Sequence, residues 1–177
     1  MRIGGDGFAK AEDGYLKLKS TNTRTLVDTP VTLENVRIDA KVYVQNDSED
    51  FMIGGSQGEY DSYANEKNGY DANWNGWPGD PDRQRLRKYV DGSSSIIAQT
   101  SDGLLSNGNT YLLSWIFLSP TLKMMNDNSE ILSASDSSFS SLSYLFLAVY
   151  SGGEYWIDWV LVRKYTEPQP VISVGPK

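Results

Sequence analysis

Asn35-Val36-Arg37-Ile38-Asp39-Ala40-Lys41-Val42-Tyr43-Val44 decides the fold class. Val36, Ile38, Ala40, Val42 and Val44 take every second position, and polar residues or Tyr43 fill the gaps. Successive side chains of an extended chain leave on opposite faces, so this alternation predicts a strand with one dry face and one wet face. No helix keeps a period of two.

The same reading extends outward in both directions. Leu16 and Leu18 alternate with Tyr15, Lys17 and Lys19. Leu86, Lys88 and Val90 alternate with Arg85, Arg87 and Tyr89, and Asp91-Gly92 turns that segment back into Ser95–Ala98. Tyr111–Phe117 is a further strand, closed by Pro120. Met124-Met125 runs into the turn Asn126-Asp127-Asn128, and Ile131-Leu132 returns. Leu142–Tyr150 and Tyr155–Tyr165 complete the set, with Gly152-Gly153 between them. Turn signals at this spacing predict an all-β chain, two stacked antiparallel sheets of about a dozen strands rather than a closed barrel. Ser133–Ser143 is Ser-rich and has room for one helical turn. Trp115, Phe117, Leu147, Ile157 and Trp159 are the expected core.

The chain has 177 residues, 39% of them hydrophobic and 22% charged, with a net charge of −7. This suits one globular domain and argues against nucleic acid as a partner. There is no histidine and no cysteine. A histidine-based triad, a thiol nucleophile, a Cys/His zinc site and a disulfide are therefore all excluded, and any metal would be held by oxygen, as calcium or magnesium is. No apolar stretch is long enough to span a membrane. Residues 1–165 read as the domain and 166–177, opening with Thr166-Glu167-Pro168-Gln169-Pro170, as a linker or tail. Met1–Gly5 carries no apolar leader. The chain reads as one module of a longer protein.

Several segments carry a resemblance. They are the opening strand Glu12-Asp13-Gly14-Tyr15-Leu16-Lys17-Leu18, the hairpin Tyr89-Val90-Asp91-Gly92, the stretch Asp127–Phe139, and the closing strand Tyr155-Trp156-Ile157-Asp158-Trp159-Val160-Leu161-Val162-Arg163-Lys164-Tyr165. Together they resemble the concanavalin A-like lectin/glucanase jelly rolls, nearest to the laminin-G-like and DUF2341-type modules of archaeal and bacterial surface proteins. The resemblance implies a two-sheet jelly roll in an extracellular or cell-surface protein. It implies a non-catalytic role, either carbohydrate binding and adhesion or that of a structural spacer, coat or pilus subunit that binds only protein. Glucanases of this fold set carboxylates along one strand as E-x-D-x-(x)-E, so that two flank the glycosidic bond. The nearest match here, Glu59-Tyr60-Asp61 with Glu66, is too widely spaced and reads as loop. The expectation is therefore that the chain is not an enzyme.

Glu59–Asp82 is the richest candidate for a ligand site. It sets Tyr60, Tyr63, Tyr70, Trp74 and Trp77 among Asp, Asn and Gly. Aromatic faces cover the C–H side of a sugar ring while amides and carboxylates bond its hydroxyls. Tyr63, Tyr70, Trp74 and Trp77 are the expected stacking surfaces. Within the segment, Asp71-Ala72-Asn73-Trp74-Asn75-Gly76 followed by Asp82 matches the spacing of a calcium loop, with Asp71, Asn73, Asn75 and Asp82 as ligands. Asp158 is a second calcium candidate, because a carboxylate between apolar neighbours needs a partner. The resemblance implies that N-terminal acids such as Asp6, Glu12 or Asp13 would join it. Arg83, Arg85 and Arg87 share one strand face and offer contacts to an acidic saccharide, or pair with the chain's own carboxylates. Asn46-Asp47-Ser48 is a glycosylation sequon.

Overall fold

The computed structural model describes residues 2–47, 50–59, 68–74 and 84–167, the first four through their backbone only. Its strands are β1 (Arg2–Gly5), β2 (Phe8–Glu12), β3 (Tyr15–Lys19), β4 (Arg24–Leu33), β5 (Val36–Asn46), β6 (Phe51–Ser56) and β7 (Gly69–Trp74). They continue as β8 (Gln84–Val90), β9 (Ser93–Thr100), β10 (Thr110–Leu118), β11 (Thr121–Asn126), β12 (Ser129–Ser135), β13 (Leu142–Tyr150) and β14 (Glu154–Lys164). Two seven-stranded antiparallel sheets form a jelly-roll sandwich. Sheet A runs β1-β4-β13-β6-β7-β8-β9 and sheet B runs β12-β11-β10-β5-β14-β3-β2. The Ser-rich stretch after Leu132 holds no helix; β12 extends to Ser135 instead.

Local chemistry sets the hairpins. Asp13-Gly14, Asp91-Gly92 and Asp127-Asn128 each place two residues at positive φ, and each links strands across a two-residue turn. That turn matches the right-handed twist of the strands, and Asn, Asp and Gly tolerate it best.

The core lies between the sheets. Leu18, Ile38, Val42, Ile53, Tyr70, Trp74, Trp115 and Phe117 are fully buried there. Trp115 stacks on Phe117 at 5.8 Å between ring centroids. Each such side chain contributes about 1.5–3 kcal/mol through burial. Leu147 and Ile157 are in the core as expected.

Two expectations fail at strand faces. Trp159 is not core, but 41% exposed. Asp158 is an extra residue in β14: Ile157 pairs with Val42 and Trp159 with Lys41, so the alternation shifts by one and the indole swings outward. The polar face of β5 is not wholly wet either. Arg37 and Asp39 are buried, joined at 2.6 Å, and Ser114, Asn128 and Arg163 complete their network. No helix among the described residues is long and apolar enough to cross a membrane.

Candidate functional site

The strand register brings polar side chains together on the outer face of sheet A. Residues of β7 alternate strictly: Tyr70, Ala72 and Trp74 enter the core, so Asp71 and Asn73 point away from it. Pairing with β6 and β8 then sets two rows. Met52, Asn73 and Arg85 lie in one, and Gly54, Asp71 and Arg87 in the next. Through β13 and β4 the first row continues to Ala148 and Leu26, and the second to Phe146 and Asp28. The face is polar on β7 and β8 and largely apolar on β6 and β13, and β4 adds both Leu26 and the buried Asp28. Its apolar members Leu26, Met52, Phe146 and Ala148 form a second buried cluster, separate from the main core.

Gly54 makes this packing feasible. A Cβ there would lie 2.7 Å from the Tyr70 carbonyl oxygen and 2.8 Å from Asp71 Cβ, and closer still to the Phe146 ring.

Asp71 is 1% exposed and heavily engaged. Arg87 donates to both of its oxygens, at 3.0 and 2.7 Å, and the Tyr89 hydroxyl donates at 2.6 Å. Burial works to discharge Arg87, but the charge of Asp71 outweighs it and holds the guanidinium above its usual range. Asn73 is fully buried and donates through Nδ2 to Asp50 at 2.7 Å. Burial pushes the Asp50 carboxyl up, against the pull of Asn73, Arg87 and Arg85. The Asn73 Oδ1 atom is buried and has no hydrogen-bond partner among the described residues. Arg85 and Arg87 are only partly buried, so the guanidinium side of the face is its accessible rim.

The expected stacking surfaces divide. Tyr70 and Trp74 are fully buried in the core, so neither offers a face to a sugar. Their polar neighbours mark this segment as a loop only if period two is overlooked: Asp71 and Asn73 are the outer residues of a strand. Tyr63 and Trp77 lie outside the described residues, as do Asn75, Asp82, Arg83 and the carboxylates Asp61 and Glu66.

The calcium reading fails at three positions. Asp71 and Asn73 sit on a strand rather than in a loop, and the Asp71 oxygens are taken by Arg87 and Tyr89. Asp158 pairs with Lys41 at 2.8 Å. The acids suggested to join it are occupied elsewhere. Asp6 accepts from Ser20 and from the backbone of Asn22 and Thr23, while Glu12 and Asp13 pair with Lys10 and Lys17. Among the described residues no three acidic side chains converge as a metal site; Asn75 and Asp82, the other two residues of the expected loop, lie outside them. The sequon amide of Asn46 donates to the Gly152 carbonyl oxygen at 3.1 Å.

Asp50, Met52 and Tyr89 belong to this face and carry no sequence signal of their own. Asp50 precedes a strand that Gly54-Gly55 disguises, and Tyr89 matters only through its reach to Asp71.

No protein-family model matches the chain, and no curated protein does. Solved structures do. A Bacillus subtilis protein of unknown function with a galectin-like fold aligns at TM-score 0.74 and 14% identity, over 92% of this chain and 88% of that one. The carbohydrate-binding module CBM66 of Bacillus subtilis aligns at TM-score 0.63 and 16% identity, over 84% and 91%. A glycoside hydrolase family 16 endo-glucanase of Bacteroides ovatus aligns at TM-score 0.62 and 12% identity, over 89% and 85%. At these identities the likeness shows the fold alone, a two-sheet jelly-roll sandwich.

Proposed function

We propose that the chain is a non-catalytic carbohydrate-binding module, an adhesive unit of a larger extracellular or cell-surface protein. Its ligand meets the outer face of sheet A at the β6–β8 corner. Arg85 and Arg87 form the rim, and Asn73 and Asp50 lie behind it. The observation that carries this reading is the part-exposed guanidinium pair Arg85 and Arg87, set by the register beside the buried polar groups Asn73 and Asp71. Guanidinium N–H groups donate to sugar oxygens, and the polar row behind them, with Asn73 Oδ1 unsatisfied among the described residues, is the backing such a rim needs. The sandwich shared with CBM66 supports the same reading.

Hydrolysis is not favoured by this geometry. A glycosidase needs two carboxyl groups free to act on either side of one bond. Asp50 is held by Asn73, and both Asp71 oxygens are held by Arg87 and Tyr89.

One observation favours a purely structural spacer or coat-type subunit. Trp74 is a core residue, and its burial serves the sandwich rather than a ligand. Calorimetric titration with soluble polysaccharides separates the two readings. Binding by a single module is expected at a dissociation constant on the order of 10–1000 μM. Arg85→Ala should weaken it about tenfold, as loss of a charged hydrogen bond does. A wild type that binds no saccharide leaves the spacer.

A further inference from the structure

The outer face of sheet B carries a different surface, built around the Asp158 bulge. β3 pairs with β14 only from Glu154 to Ile157. Beyond the bulge, Trp159 and Leu161 point outward at 41% and 49% exposure.

The two tryptophans of this strand differ. Trp156 is held: Tyr43 and Tyr15 flank it at 5.3 and 6.0 Å, Lys17 Nζ lies 4.4 Å from its ring centroid, and its Nε1 donates to Glu154. Among the described residues, no ring contact or hydrogen bond holds the Trp159 side chain. Its cross-strand neighbour is Lys41, whose ammonium pairs with Asp158 at 2.8 Å. Both members of that pair are well exposed, at 46% and 38%. An exposed ion pair stabilises a fold little, and Lys41 keeps two further N–H donors while Asp158 keeps an acceptor oxygen.

We propose that Trp159, with Lys41 and Asp158, forms a second saccharide-contact surface on sheet B, distinct from the sheet A corner. The exposed indole suits the apolar C–H face of a pyranose ring, and the adjacent ammonium and carboxylate suit its hydroxyls. The proposal rests on the glycan-binding reading but not on the sheet A site. A second copy of the chain is the alternative occupant, and sedimentation distinguishes it from a saccharide.

The test is depletion of the full chain from solution by insoluble cellulose, chitin and mannan, alongside sedimentation. Trp159→Ala, Arg85→Ala and the double variant Lys41→Met/Asp158→Asn are compared with wild type and with Leu104→Ala, an exposed control in neither set of proposed contacts. Trp159→Ala should lower the association constant about three- to tenfold on at least one polysaccharide, with melting temperature unchanged. Wild-type tryptophan emission should shift on binding, and the shift should be lost in the variant. Loss with Arg85→Ala but not with Trp159→Ala overturns this inference and leaves the sheet A reading standing. Loss with Trp159→Ala alone sustains the inference and removes the sheet A site. A wild type that binds none of the three overturns the inference. So does self-association that Trp159→Ala abolishes without any polysaccharide binding.

Discussion

The Tyr70 hydroxyl donates a 2.6 Å hydrogen bond to Asp136 and so ties the two sheets together across the sandwich. Tyr70 is on β7 of sheet A, and Asp136 follows β12 of sheet B. The same oxygen accepts from the Phe139 amide at 3.1 Å, and Lys88 Nζ holds the other Asp136 oxygen at 2.7 Å. Burial, then Asp136, pushes the phenol up to about 12. Tyr70→Phe keeps the ring, strands the Phe139 amide and leaves Asp136 with Lys88 and Ser138 alone. Urea unfolding should show a loss of about 1–3 kcal/mol. A change within about 0.5 kcal/mol would show that the tie is not stabilising.

Asp71→Asn removes the charge that answers Arg87 at a nearly fully buried position. Breaking a buried pair from one side costs about 3–5 kcal/mol. Denaturant midpoints of the two proteins measure it. Because Arg87 holds Asp71, calcium there would first have to displace the guanidinium. Wild type should therefore melt at one temperature in calcium and in EDTA; a calcium-dependent rise lost in Asp71→Asn would show the metal reading right after all.

Gly54→Ala drives a methyl group into Phe146, Tyr70 and Asp71. Two of these contacts involve backbone or a Cβ, which yield little. We expect destabilisation of about 1–3 kcal/mol from overpacking, with β6 and β7 pushed apart. Thermal unfolding at wild-type temperature would contradict the close packing of this face.

Acid should act on the fold in two opposing ways. Partial desolvation raises the Asp6 carboxyl, but hydrogen bonds from Asn22, Thr23 and Ser20 outweigh it and bring it down to about 2. Asp136 is lowered too, its desolvation outweighed by Lys88, Ser138 and Tyr70. A folded value below the unfolded one means stability that is present above about pH 4 and lost as pH falls through the folded value. Asp50 is raised by burial and works the other way: its contribution declines as pH rises from about 4 through its folded value. Asp6→Asn should flatten the acid limb of the melting-temperature profile, and Asp50→Asn should flatten the decline on its neutral side. Parallel profiles for both variants and wild type would refute the assignment.

The half-wet strands were legible in the sequence, and the strands buried on both faces were not. β5 and β8 announce themselves by alternation. β6 and β7 are buried at every position; β6 shows no polar face, and in β7 the outer residues Asp71 and Asn73 sit among Gly, Tyr and Trp in a turn-like composition. Gly-Tyr-Asp-Ala-Asn-Trp thus passes for a loop, and Tyr70 and Trp74 for ligand platforms. β14 was legible as a strand but not in phase past Ile157, because nothing in Ile157-Asp158-Trp159 signals a bulge. Arg85 was legible as an outward-facing strand residue because its alternation with Leu86 is intact. Its partners on the face, Asn73 and Asp50, come together only through pairing of β6, β7 and β8.

The central claim is that Asn73 and Arg85 mark a saccharide site on the outer face of sheet A. A glycan array probed with wild type, Asn73→Ala and Arg85→Ala, each confirmed folded by its near-ultraviolet spectrum, tests it most directly. Wild type should bind a restricted set of saccharides, in calcium and in EDTA alike, and both variants should lose that set. A wild type that binds no saccharide, or variants that bind the same set at the same strength, would contradict the account.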